Sequence, residues 1–145
     1  MPAAGDMTTP AALMRRITAA FSKADLRPLF EALNVVWKSA TDANAPFRFG
    51  GNHVGRAGVM EVLATISADF LFRRFTPIDI VEQGDIAWGL FDAVIEHVPT
   101  ARRRPNAEPI AFECALRWKV VDGKLVEHQA FFDTGVIDRA IRAAD

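Results

Sequence analysis

The sequence predicts an α+β fold in which three helices precede a meander of strands and a short terminal helix closes the chain. Three observations carry this. Apolar residues recur at helical spacing up to about residue 70. From residue 72 they alternate with polar ones, as strands require. Glycine-containing turns at Gly84 and Asp122-Gly123 divide the second half into hairpin-sized pieces.

Residues 1–8 are small and polar and are expected to be disordered. Thr9 followed by Pro10 reads as a helix N-cap with proline in the first turn. Leu13, Met14, Ile17, Ala20 and Phe21 form the stripe of that first helix. Asp25 reads as a second N-cap, with Leu26, Leu29, Phe30 and Leu33 behind it and Asn34 as its end. Val35, Val36 and Trp37 predict a short strand, and segment 41–55 is rich in turn formers. The third helix carries Val59, Val62, Leu63, Ile66 and Phe70 on one face.

Strands are expected over about 72–82, 86–98, 110–120 and 124–132, with a Pro- and Arg-rich loop before the third of these and a helix over 134–143. Segment 110–120 alternates most regularly. Ile110, Phe112, Cys114, Leu116, Trp118 and Val120 share one face, and Glu113, Arg117 and Lys119 share the other. The hairpin at Asp122-Gly123 sets the facing of the last strand. A two-residue loop puts Glu127, Gln129 and Phe131 beside the apolar row. A three-residue loop with a left-handed Gly123 puts Val126, His128, Ala130 and Phe132 there. The second register buries three apolar residues and one histidine, and it is the register adopted here.

An inward His128 is a candidate general acid or base, because imidazole titrates near neutrality; it also fits a core histidine held by one hydrogen bond. Asp92 is the second candidate, since it interrupts the apolar row of Ile86, Trp88, Leu90 and Val94. The opposite row (Ala87, Gly89, Phe91, Ala93, Ile95) is equally apolar, so the strand reads either way up. Trp37, Trp88, Leu116, Trp118 and Phe132 are expected around a substrate pocket or in plain core, with Cys114 a small buried hydrophobe among them. Asp133 reads as the N-cap of the last helix and His53 as loop structure.

Composition narrows the function classes. The 145 residues match the size of one domain, read as residues 1–145. Seventeen basic against eighteen acidic residues give a net charge of −1, so nothing points to nucleic acid or an anionic membrane. Arg102-Arg103-Arg104 reads as a solvated loop. No stretch is apolar enough to span a bilayer, no signal peptide is evident, and a cytoplasmic location is the expectation. One cysteine and three scattered histidines predict no metal and no disulfide, and no phosphate-binding motif calls for a cofactor. A homodimer packed through the outer face of the sheet is expected, because segment 87–95 is apolar on both faces and helices cover one.

The order of elements resembles the nuclear-transport-factor-2-like superfamily, and within it the SnoaL-like polyketide cyclases and ketosteroid isomerase-like proteins. The resemblance runs from about residue 10 to 142. It rests on the Asp25-Leu26 helix start followed by Val35-Val36-Trp37, and on the run from Gly51 to Arg56. The stretch from Trp118 through Gly123-Lys124 to Phe131-Phe132-Asp133-Thr134 completes it. It implies a cone of helices against a strongly curved, mostly antiparallel sheet, an interior pocket for a small hydrophobic ligand, and a sheet-packed homodimer. It also implies cofactor-free isomerase, cyclase, dehydratase or hydrolase chemistry, or binding alone. The steroid isomerase machinery is not reproduced. Its base position falls on Lys38 or Ser39, its oxyanion aspartate matches Cys114, and the chain has no tyrosine. His128 falls where the family places a pocket-lining side chain.

Overall fold

The computed structural model describes residues 9–23, 33–38 and 46–144. In chain order the elements are α1 (Pro10–Phe21), β1 (Leu33–Lys38), β2 (Asn52–Val54), α2 (Gly55–Asp69), β3 (Phe70–Gln83), β4 (Ile86–His97), α3 (Val98–Arg103), β5 (Ile110–Val121), β6 (Lys124–Phe132) and α4 (Thr134–Ala144). Residues 1–8 and most of the helix expected from Asp25 lie outside the described residues. The last apolar residue of that expected helix, Leu33, opens β1.

The helix ends follow from local chemistry. The Thr9 side chain accepts from the Ala12 amide at 3.2 Å, and Pro10 opens α1 where an amide hydrogen has no partner to lose. Leu13, Met14, Ile17 and Phe21 form its buried stripe. Asp133 Oδ1 accepts from the amides of Gly135 and Val136 at 2.9 and 3.3 Å, so it caps α4. At the far end of α2 the buried Asp69 is held by a two-pronged bond from Arg48, at 2.8 and 2.6 Å. The segment read as a Pro- and Arg-rich loop begins with a short helix, α3, because Pro99 is favourable in a first turn.

The six strands form one curved sheet in the order β2-β1-β6-β5-β4-β3. β1 runs parallel to β6, and all other neighbours are antiparallel. Register shifts between Phe72 and Arg74 and between Pro77 and Asp79 put bulges in β3, which bend an edge strand. Helices α1 and α2 cover the concave face, and their apolar stripes join the inward rows of the sheet in one core.

β4 settles the choice that its two apolar rows left open. Ala87, Gly89, Phe91, Ala93 and Ile95 are buried, whereas Trp88 is 43% exposed and Asp92 stands on the outer face. Close approach explains the choice. A Cβ built on Gly89 would lie 2.5 Å from Phe91 Cε1 and 2.8 Å from Met14 Sδ. Helix α1 needs a row with gaps, and the row of Trp88, Leu90, Asp92 and Val94 offers none.

The hairpin reaches the adopted facing by another route. Val121 pairs with Lys124, and Asp122 and Gly123 have φ of 51° and 73°, so the loop has two residues with left-handed backbone. The extra residue enters one step later. Val120 pairs with Leu125 and Lys119 with Glu127, leaving Val126 as a bulge. Leu125 therefore takes the inner place expected for Val126, and beyond the bulge His128, Ala130 and Phe132 face inward.

Candidate functional site

The concave face of the sheet and the helices above it enclose an apolar cavity of about 100 Å³. Eight phenylalanines line it: Phe21 from α1, Phe47 and Phe49 ahead of β2, Phe70, Phe72 and Phe75 from β3, Phe112 from β5 and Phe132 from β6. Trp37, Cys114, Leu116 and His128 complete the part nearest the middle of the sheet.

His128 is clamped by both neighbouring strands. Register pairs it with Trp37 on β1 and with Trp118 on β5. The Trp37 ring stacks on the imidazole at 3.6 Å between centroids and 18° between planes. From the other side the Trp118 indole N–H donates to His128 Nδ1 at 2.9 Å. An indole nitrogen only donates, so Nδ1 must be the accepting nitrogen and the proton of the neutral ring sits on Nε2. Among the described residues that buried Nε2 has no hydrogen-bond partner. An unmet buried donor costs about 1–3 kcal/mol. Burial also pushes the imidazole pKa down to about 3, so the ring is neutral at physiological pH.

The residues read from sequence as a site separate into two groups. Trp37, Cys114, Leu116, His128 and Phe132 come together at the cavity. Trp118, fully buried, stands behind His128 and does not line it. Trp88 and Asp92 are corrections: both lie on the outer face. Asp92 pairs with Arg74 at 3.1 Å, and Trp88 stacks on Phe131 at 5.8 Å. Asp92 and His128 therefore share no cavity. Burial pushes the Cys114 thiol up to about 12, which leaves it a neutral thiol and a poor nucleophile. Apart from Phe132, the phenylalanine lining was missed in the sequence. Its signal was there, in eleven phenylalanines and no tyrosine, with Phe47 and Phe49 or Phe70 and Phe72 spaced two apart. Among the described residues no group of three or more His, Cys, Asp and Glu could hold a metal ion, and no helix is long and apolar enough to cross a membrane.

The profile of the SnoaL-like domain matches residues 14–128. The chain belongs to the SnoaL-like family. No functionally curated protein matches it. Solved structures show the same fold at low identity. An NTF2-like protein of unknown function from Burkholderia pseudomallei is 23% identical with a TM-score of 0.73, over 89% of this chain and 94% of that one. A candidate isomerase from Rhodopseudomonas palustris is 20% identical with a TM-score of 0.72, over 90% and 93%. TerC, co-crystallised with polyporic acid, is 20% identical with a TM-score of 0.71, over 90% and 95%.

Proposed function

We propose that this SnoaL-like protein binds a small hydrophobic molecule in its interior cavity. There it carries out cofactor-free chemistry of the isomerase, cyclase, dehydratase or hydrolase type, with His128 as the polar group at the reacting centre. One observation carries the reading. Among the described residues the cavity lining is otherwise apolar and aromatic, and its buried histidine keeps one ring nitrogen without a partner. Leaving a buried donor unmet costs about 1–3 kcal/mol, so keeping it favours a role beyond packing. The fold-mates described as an isomerase and as a protein crystallised with polyporic acid agree with a small-molecule role.

The test is capture of a ligand by native mass spectrometry, followed by turnover of that ligand by the wild type and by His128→Phe. Loss of turnover on the order of 10²-fold or more with folding intact supports a reacting-centre role. Binding without any chemical change in either protein supports the second reading, a non-catalytic binding module. That reading is favoured by the neutral, deeply buried state of His128. Absence of any bound or bindable apolar molecule overturns both.

The proposal includes a homodimer packed through the outer sheet face. Trp88 and Phe131, 43% and 41% exposed, stack on each other there, on a face that also carries the ion pairs Arg74–Asp92 and Arg117–Glu127. An aromatic centre with a charged rim suits a contact between copies. Sedimentation giving a concentration-independent 16.0 kDa monomer overturns it. A cytoplasmic location belongs to the same reading.

A further inference from the structure

We infer that the cavity is built for one six-membered ring, seated over Cys114 and Ala130 between two triads of phenylalanines, and that fused ring systems are excluded. The inference deepens the proposed function by naming its substrate class, and it rests on ligand binding in this cavity.

The space has a definite origin in the inner rows of β5 and β6. Among the described residues lining the cavity, all are Phe, Trp, His, Leu or Ile except Cys114 and Ala130. Register pairs Cys114 with Phe132 and Leu116 with Ala130, so the two small side chains are diagonal neighbours on adjacent strands. Their short reach leaves a recess in a floor that large side chains otherwise fill. On the α1 side stand Phe21, Phe72 and Phe75, with ring centroids 6.0, 5.3 and 5.8 Å apart. On the α4 side stand Phe47, Phe49 and Phe132, at 6.0, 6.2 and 6.5 Å. Each triad closes on itself, ring against ring, so both walls are held in place.

The lining then defines the occupant. An apolar void loses packing contacts on every side, and protein interiors keep few voids larger than a water. Water does not fill an apolar cavity of this kind. An apolar group does, and the volume limits its size. The space of about 100 Å³ is smaller than the roughly 150 Å³ of an engineered apolar cavity that takes benzene. One six-membered ring is therefore the upper limit. A flat ring between the triads makes the stacked and edge-on contacts that phenylalanines make with one another. Cys114 and Ala130 are specificity-determining residues because they open the recess. Phe132, opposite Cys114 and two residues beyond Ala130, closes its end.

The experiment uses the full chain and two probes, benzene and naphthalene, which differ by one fused ring. Methyl NMR reads the Ala130 resonance, which the ring current of a ligand seated there shifts. Thermal unfolding reads stabilisation by the bound probe. The expected result is that benzene shifts the Ala130 resonance and raises Tm, whereas naphthalene does neither. Phe132→Ala lengthens the recess and is expected to gain the naphthalene response. Ala130→Leu fills the recess and is expected to lose stabilisation by benzene, while its Tm without ligand stays at or above that of the wild type. A change that only damaged packing would lower that Tm. Naphthalene bound by the wild type overturns the size limit, and benzene bound by Ala130→Leu overturns the seat; both leave ligand binding standing. Neither probe bound by the wild type overturns the binding reading and the inference together. If Ala130→Leu does not fold, Cys114→Leu makes the same test, and the wild-type probe pair still decides the size limit.

Discussion

The two faces of the central strands hold similar aromatic pairs in opposite surroundings. Inside, Trp37 stacks on His128 in a cavity into which, among the described residues, no charged side chain intrudes, and the histidine is held neutral with a donor that none of them meets. Outside, Trp88 stacks on Phe131 among arginines and carboxylates that satisfy one another, as Arg117 does with Glu127 at 3.0 Å. That bond holds the Glu127 carboxyl below its ordinary value, the opposite of what burial would do. The inner face spends stability on an unmet polar group, which makes sense where a ligand arrives. The outer face leaves nothing polar unmet in its ion pairs and exposes apolar area instead, which makes sense where a surface packs. Chemistry is expected on the first face and association on the second.

The contrast breaks or sharpens with substitutions on neighbouring residues of one strand. Phe91 is fully buried, and Phe91→Ala should cost about 3–5 kcal/mol in denaturant unfolding. A cost below 1 kcal/mol would mean that β4 faces the other way. Gly89→Ala should cost about 1–3 kcal/mol, because its new methyl group meets Phe91 and Met14. A neutral or stabilising result would show that α1 sits farther from the sheet.

His128 should leave a signature in pH. Its folded pKa, about 3, lies below the ordinary 6.5, so the unfolded chain binds a proton that the folded chain refuses. Its contribution is intact above pH 6.5 and is lost as pH falls toward 3, by up to about 1.4 kcal/mol per pH unit. Between pH 6.5 and 4.5, above the ordinary glutamate value, His128→Phe should flatten the stability curve relative to wild type. Parallel curves would contradict a neutral buried ring. The smallest effect belongs to the outer face. Asp92→Asn removes a half-exposed partner of Arg74 and should change stability by about 0–1 kcal/mol, without altering ligand binding. A collapse of activity in that variant would return Asp92 to the site.

Alternation alone made β5 readable, because Cys114, Leu116, Trp118 and Val120 face one way and charges interrupt the other. The facing of β6 was readable in outcome but not in cause. Periodicity shows that one register must be chosen, while the bulge at Val126 depends on how two strands twist past each other. β4 was not readable, since both of its rows are apolar and a lone carboxylate fits a pocket or an ion pair equally well. The deciding feature was the size of Ala87, Gly89 and Ala93, which matters only once a helix lies across them.

Local chemistry along the chain was enough for the α+β class, the caps of α1 and α4, the regular strands and an inward His128, because caps, turns and period-two burial act between residues close in sequence. Three-dimensional packing was needed for the rest. Which face of β4 meets α1, the separation of Asp92 from His128, and the tautomer that Trp118 imposes all depend on contacts between strands and helices. Such contacts are governed by shape and hydrogen-bond direction, and neither is written in the order of the residues.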